Sequence, residues 1–418
     1  MFQQIVDWFV SVLRAPLAEL RGADPVLGLA VVVLAALVLA SALHRRLRLP
    51  RLLGYLLVGA VASPALLGLL QRTDIDPWKP LIDLAVAALV FELGTRLRPR
   101  WLIDNPWLAA SSALDAIATG GAVWLVLVAL GAPSASAAAA AALAAATSPV
   151  ITMAAFLEAR PRGQVAERLL MLSAINSTLA ILAVKLWPVL AQKGLSASDS
   201  LTLLANASVV IFGSLLLGLA CGVLLDRLGR LHDEAATMPV LQLALVILAA
   251  LLAVAWGLSP FIALLVAGMT ARSRMRHRLT VQPYLGSAGA ALTVMLFVSF
   301  GVLSTLQDWR ALWPWVLAII AARLVSKGIA IFATARPSGL SWRQATALTL
   351  ALQPMSSLSV LLVADSFGWR QQLPGADAAV IQALLIATTL MQLSGPLWTL
   401  WPLKRIVGEA GEDGSDER

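Results

Sequence analysis

Apolar stretches of about 20 residues recur along the chain from Asp24 to Pro402, each long enough to cross a hydrocarbon core as a helix. The strict alternation that membrane-spanning strands need is absent. About 13 spans are predicted, near 25–43, 51–71, 80–97, 106–131, 135–158, 166–192, 200–226, 236–256, 258–272, 283–306, 311–335, 343–366 and 377–403. Two are interrupted near the middle by polar, proline-containing runs: Thr147-Ser148-Pro149 in the fifth and Gln353-Pro354-Met355-Ser356-Ser357 in the twelfth. Proline removes an N–H donor and clashes with the preceding turn, so a helix carrying it leaves backbone groups unpaired. In hydrocarbon that is costly, and broken backbone at membrane depth is tolerated only where it is buried in protein or lines a wet cavity. The interruptions are either ordinary proline kinks or the discontinuous helices that build a substrate site. The fifth and twelfth spans run in opposite directions under this count, the relation an inverted-topology repeat produces, with half-helix ends meeting near the bilayer midplane. That relation favours the second reading.

Composition agrees with the pattern. With 59% apolar residues, 13% charged residues and a mean hydropathy of +0.84, the chain has too little polar surface for a soluble globule. Its net charge of +8 does not point to nucleic acid, because the arginines sit in short loops beside apolar spans rather than along one stripe. Arg45, Arg46, Arg48 and Arg51, then Arg96, Arg98 and Arg100, then Arg160, Arg162 and Arg168 fall in alternate loops. Arg227 and Arg230, Arg272, Arg274, Arg276 and Arg278, Arg336 and Arg343, and Lys404 and Arg405 continue the series. By the positive-inside rule this set is cytoplasmic, which puts the N-terminus outside and the C-terminus inside. Tryptophans near span ends, such as Trp101, Trp107, Trp187, Trp309 and Trp369, suit an interfacial belt. Residues 1–23 read as an interfacial segment without the basic start of a signal peptide, residues 24–403 as the membrane domain, and 404–418 as a disordered cytoplasmic tail.

Chemistry narrows the classes. The lone Cys221 gives no disulfide framework and no thiol metal site, and no cofactor is expected. His44, His232 and His277 lie in loops near arginines, and no nucleophile and base share a face, so an enzyme is not expected. Ionisable residues inside spans cost at least about 2.5 kcal/mol on insertion scales and need a reason to be there. Asp83, Lys185 and Arg323 are placed so that they reach an interface by snorkelling. Glu92 stands four residues before Arg96, the spacing of a local ion pair. Asp115 has only Ala, Ser, Leu and Ile as sequence neighbours and must meet a partner, water or a proton. Lys327, one turn after Arg323 and just before the second interruption, is placed to balance freed carbonyl ends or to hold an acid.

These residues resemble the cation:proton antiporter superfamily, in the branch of bacterial sodium/proton exchangers and potassium-efflux transporters. Leu49-Pro50-Arg51-Leu52-Leu53-Gly54-Tyr55-Leu56-Leu57-Val58-Gly59 is similar to the family's L-P-x-x-L-G-Y-x-x-x-G opening. Phe91, Gly94, Leu97 and Pro99 fit its F-x-x-G-x-x-L-x-P pattern. Ala146-Thr147-Ser148-Pro149 resembles the first unwound segment, Ser259-Pro260-Phe261 with Ala267-Gly268 its S-P-x…A-G element, and Lys327 its core lysine. The likeness runs from about Leu49 to Leu403. It implies an all-α polytopic membrane protein of the inverted-repeat antiporter fold with two crossing broken helices. Core helices are then expected near 106–192 and 311–403, with the rest a scaffold that dimerises.

One departure stands out. Proton-coupled members carry an Asp-Asp or Asn-Asp pair on the sixth span, where this chain reads Ala174-Ile175-Asn176-Ser177-Thr178-Leu179-Ala180. Asn and Ser offer neutral oxygens and cannot release a proton near neutral pH. Three outcomes are open: Na⁺ or K⁺ exchange for protons by alternating access, with Asp115 or Glu92 supplying the titrating group; transport of an anion or neutral solute; or a non-transporting sensor or structural role. The expected ion site comprises Thr147, Ser148, Asn176, Ser177, Gln353 and Ser356, with Lys327 balancing charge. The expected partners are the cation, protons, the bacterial inner-membrane lipid and a second copy of the chain, and no nucleic acid.

Overall fold

The computed structural model describes residues 25–47, 49–64, 66–97, 104–191, 197–231, 237–274, 286–303, 309–356 and 377–409. The interfacial segment expected at 1–23, Ser357, Trp101 and Trp369 lie outside them, as do the side chains of Lys185, Trp187 and Trp309. Fifteen α-helices form among the described residues: α1 Pro25–Leu47, α2 Arg51–Ala62, α3 Lys79–Arg96, α4 Pro106–Ala129, α5 Ser134–Ala144, α6 Pro149–Ala159, α7 Gln164–Ala191, α8 Ala197–Leu231, α9 Thr237–Ala255, α10 Pro260–Arg274, α11 Gly286–Val302, α12 Trp309–Ala335, α13 Trp342–Ala351, α14 Ala378–Leu393 and α15 Gly395–Arg405. Each predicted span overlaps at least one of these helices, though the helix in the second ends at Ala62 and the part of the twelfth beyond residue 356 lies outside the described residues. Six are long and apolar enough to cross a membrane, and α14 with α15, bent by 42°, makes a seventh. Exposed apolar side chains such as Val38, Phe212, Leu216 and Val254 form the surface that lipid covers. Residues 404–409 depart from the expected disorder, because α15 runs to Arg405 and the chain then turns back on itself from Val407 to Pro402 and from Glu409 to Leu403.

The contacts divide the chain into two units, Met1–Val86 with Ser287–Asp308, and Ala87–Gly286 with Trp309–Arg418. Within the first, α2 and α11 cross where Gly59 meets Gly301, and a Cβ on either would strike the other helix's backbone at Val298 O or Leu56 O. Within the second, Gly94 and Gly268 make the same kind of crossing, against Leu265 O and Phe91 O. Small residues allow this approach, and in lipid, dispersion contacts between helices replace the missing hydrophobic drive. The glycines of the L-G-Y…G, F-x-x-G and A-G elements are therefore contact points between helices. Gly268→Leu is expected to destabilise the protein by about 3 kcal/mol through forced separation, read as a lowered unfolding midpoint in detergent. Gly131→Ala offers the contrast, since a Cβ there meets open space and only its positive φ of 86° opposes the change.

The second unit holds both interruptions. Alanine-rich α5 stops at Ala144, and α6 restarts at Pro149, the first helical position, where a missing N–H costs nothing. Ser148 caps α6, its Oγ accepting from Ile151 N at 3.2 Å. A capping box of Ser341 and Gln344 starts α13, which ends at Leu352 before Pro354. The first interruption is a break rather than a kink, and at the second the helix ends at Ala351 before Pro354.

Candidate functional site

The two breaks cross each other. Thr147 and Met355 form an antiparallel bridge, and Ser148 N donates to Pro354 O at 2.9 Å. This pairing satisfies backbone groups that neither half-helix can satisfy alone. Thr147 Oγ1 donates to Leu352 O at 3.2 Å, and Ser177 Oγ donates to Thr147 O at 2.7 Å, which fastens α7 to the crossing.

Beside the crossing lies a buried polar cluster. Residues 112, 115 and 119 of α4 follow helical spacing and fall on its buried face. Asp115 Oδ2 accepts from Lys327 Nζ at 2.8 Å and from Asn176 Nδ2 at 2.6 Å, while Oδ1 accepts from Thr119 Oγ1 at 3.2 Å. Ser112 Oγ donates to Asn176 Oδ1 at 2.6 Å, which fixes the amide with its NH₂ toward the carboxylate. Lys327 Nζ also donates to Thr147 Oγ1 at 3.2 Å, linking the ion pair to the first break. Asp115, Asn176, Lys327 and Thr147 are each 0% exposed. A buried pair of this kind survives because each charge is both matched and hydrogen-bonded.

Of the two roles open to Lys327, balancing freed carbonyl ends or holding an acid, the second is the one seen: Asp115, 212 residues away in sequence, pairs with it. The site therefore keeps a carboxylate, carried by α4 rather than by the Asn176-Ser177 stretch of α7. The expectation for Arg323 is corrected. It does not reach an interface but is 0% exposed, and its Nη2 donates to Gln353 O at 3.0 Å. Arg323 thus meets the carbonyl end of the second break, a cation where the half-helix presents partial negative charge, and this frees Lys327 for Asp115.

The other expected residues separate. Gln353 turns its side chain to Thr349 O at 2.9 Å and contributes its carbonyl to Arg323. Ser148 uses its hydroxyl as the cap of α6, and Ser356 is buried beside the bridge. Glu92 pairs with Arg96 at 3.0 Å on its own helix, apart from the Asp115 cluster. Ser112, Thr119 and Ser326 were missed, the last bonded to Thr119 at 3.3 Å. The helical spacing of Ser112 and Thr119 around Asp115 was the available signal for those two.

Comparison with known proteins places this geometry. The family described as the transmembrane sodium/hydrogen exchanger matches residues 32–404. The chain belongs to that exchanger family. Its members and fold neighbours are transporters rather than enzymes, and the chain is a multi-pass membrane protein. Among similar members, the glutathione-regulated potassium-efflux system protein KefC of Salmonella paratyphi B is 26% identical over 408 residues, covering 93% of this chain and 63% of the relative. KefC of Salmonella newport gives the same identity and coverage. The chain thus spans less than two thirds of these relatives. The exchanger fold is matched by the sodium proton antiporter MjNhaP1 of Methanocaldococcus jannaschii. One structure, at pH 8, has a TM-score of 0.66 at 16% identity, covering 91% of this chain and 98% of that one. A second, from an electron-microscopy map, has a TM-score of 0.70 at 18% identity, covering 92% and 98%.

Proposed function

We propose that this exchanger-family chain carries Na⁺ or K⁺ against protons by alternating access in the bacterial inner membrane, as a homodimer with its N-terminus outside and its C-terminus in the cytoplasm. The observation that carries the reading is the Asp115–Lys327 pair, wholly buried beside the crossing of the two breaks. A carboxylate held there by a protonated amine is a site that a monovalent cation enters only by expelling a proton-bearing partner. Two cations cannot share one carboxylate in a low-dielectric surrounding without strong repulsion. Entry of the metal ion is therefore coupled to departure of a proton, either from Lys327 or from Asp115 itself. Thr147 offers its hydroxyl oxygen to Lys327, Asn176 donates its amide to the carboxylate, Ser177 ties α7 to the first break, and Arg323 holds the second break in shape. The names of the relatives, a potassium-efflux protein and a sodium proton antiporter, agree with a monovalent cation as cargo.

A second reading has one observation behind it. At the crossing of the breaks the buried cations Arg323 and Lys327 lie one helical turn apart, and Lys327 is paired with the buried carboxylate of Asp115, a balance that suits an anion. Vesicles containing the protein and an imposed pH gradient separate the two. Collapse of the gradient on adding Na⁺ or K⁺ as salts of an inert anion is the expected result. A response that follows the anion instead, or none to Na⁺, K⁺ or Li⁺, overturns cation exchange.

A further inference from the structure

Helix α7, which carries Asn176 and Ser177, begins without a cap of its own. Local caps come from Ser, Thr, Asp or Asn just before the first turn, but position 163 is Gly. The orphan amides are instead satisfied from the opposite end of the sequence. Val165 N and Ala166 N donate to the two carboxylate oxygens of Glu409, at 3.0 and 2.8 Å. Arg162 N donates to the Glu409 carbonyl at 2.6 Å. Glu409 is delivered by the turn after α15, in which Gly408 takes a φ of 67° and Glu409 N donates to Leu403 O at 2.8 Å. The absence of a side chain at Gly163 is what admits it, since a Cβ there would overlap the Glu409 carboxyl group. A carboxylate at a helix N-terminus is also favoured by the partial positive charge of that end.

We propose that Glu409 is a detachable strap that pins the start of α7 and thereby holds the site in its wholly buried arrangement. The lever is direct. Asn176 lies 10 residues beyond Ala166 on one unbroken helix, a distance of about 15 Å along its axis. Near its middle the helix is bound to Asp115 and Thr147 through Asn176 and Ser177. Near its start, Arg168 Nη2 donates to Ser338 O, just beyond α12. The strap therefore closes a loop of contacts from the segment after α15 through α7 to the ion pair. An interaction made only in one arrangement stabilises that arrangement, so release of Glu409 frees α7 to move relative to α4 and α12. This pinning stands on contacts alone, and its effect on exchange rests on the function proposed above.

Amide hydrogen exchange of the purified full chain separates the two. Glu409→Gln keeps the shape but removes the charge, and Gly163→Ala evicts the carboxylate while leaving it intact. Both are expected to speed amide exchange in peptides covering 164–177 by about tenfold, the scale of a lost cap, with peptides of α10 unchanged. In vesicles both are expected to raise the maximal rate of Na⁺- or K⁺-dependent proton flux severalfold, with Glu409→Asp close to the unaltered protein. Unchanged amide exchange overturns the strap, whether or not the protein transports. Faster amide exchange confined to the first turn, or with unaltered or slowed flux in an active protein, overturns its hold on the site. Faster exchange reaching residue 177 in a protein with no flux keeps the strap and sinks the transport reading alone.

Discussion

Asp115→Asn is expected to abolish cation-dependent proton flux, lowering it at least about a hundredfold, the effect of losing about 3 kcal/mol of charge-assisted interaction. Asparagine keeps the size of the side chain and much of its hydrogen bonding to Thr119 and Asn176. It removes the one thing the reading requires, a negative charge that pairs with either a proton-bearing group or a metal ion. The geometry also provides a rescue. Asn176 Nδ2 lies 2.6 Å from the Asp115 oxygen that itself lies 2.8 Å from Lys327 Nζ. A carboxylate moved to position 176 needs to shift by about the length of one hydrogen bond to take the amine. Asn176→Asp in the Asp115→Asn background is therefore expected to recover flux, because the pair is rebuilt with the acid on α7 rather than α4. Flux of Asp115→Asn equal to that of the unaltered protein would remove this residue from the mechanism.

The second large effect is on stability. Lys327→Met leaves Asp115 buried without its counter-ion and should cost about 3–5 kcal/mol, since an uncompensated charge remains in a medium that solvates it poorly. Arg323, one turn away, does not take over, because its guanidinium is tied to Gln353 O. Adding Asp115→Leu removes the stranded charge. Replacement of both members of a buried pair by apolar groups is often close to neutral, so the double variant should regain most of the lost unfolding midpoint in detergent. Neither variant should transport. Costs that simply add would mean that the two side chains are not coupled.

Local chemistry made much of this molecule legible, and tertiary pairing made the rest opaque. Pro149 and Pro354 betray the breaks because proline's missing N–H acts on its own helix, and the structure bears them out as crossing segments. Lys327 was legible as a buried cation beside the second break. Its partner was not, because Asp115 meets it across 212 positions and only the rotation of α4 against α12 decides which face each presents. Asp115 stood out as a carboxylate in need of a partner, but nothing local to α4 distinguished Lys327 from water or a proton as that partner. The polar stripe of Ser112, Asp115 and Thr119 is the local trace of that rotation. Arg323 was misread for a related reason. A long side chain can snorkel, but here the guanidinium is buried against the Gln353 carbonyl. The capping of α7 by Glu409 had no local trace beyond an uncapped helix start at Gly163.

The most direct test of the shared carboxylate is proton release on cation binding, followed in a weakly buffered detergent solution of the purified protein. Addition of the transported cation, Na⁺ or K⁺, is expected to release about one proton per ion bound, because one carboxylate admits one positive partner at a time, and Asp115→Asn should release none. Saturable cation binding without proton release, or release that persists in Asp115→Asn, would contradict the account.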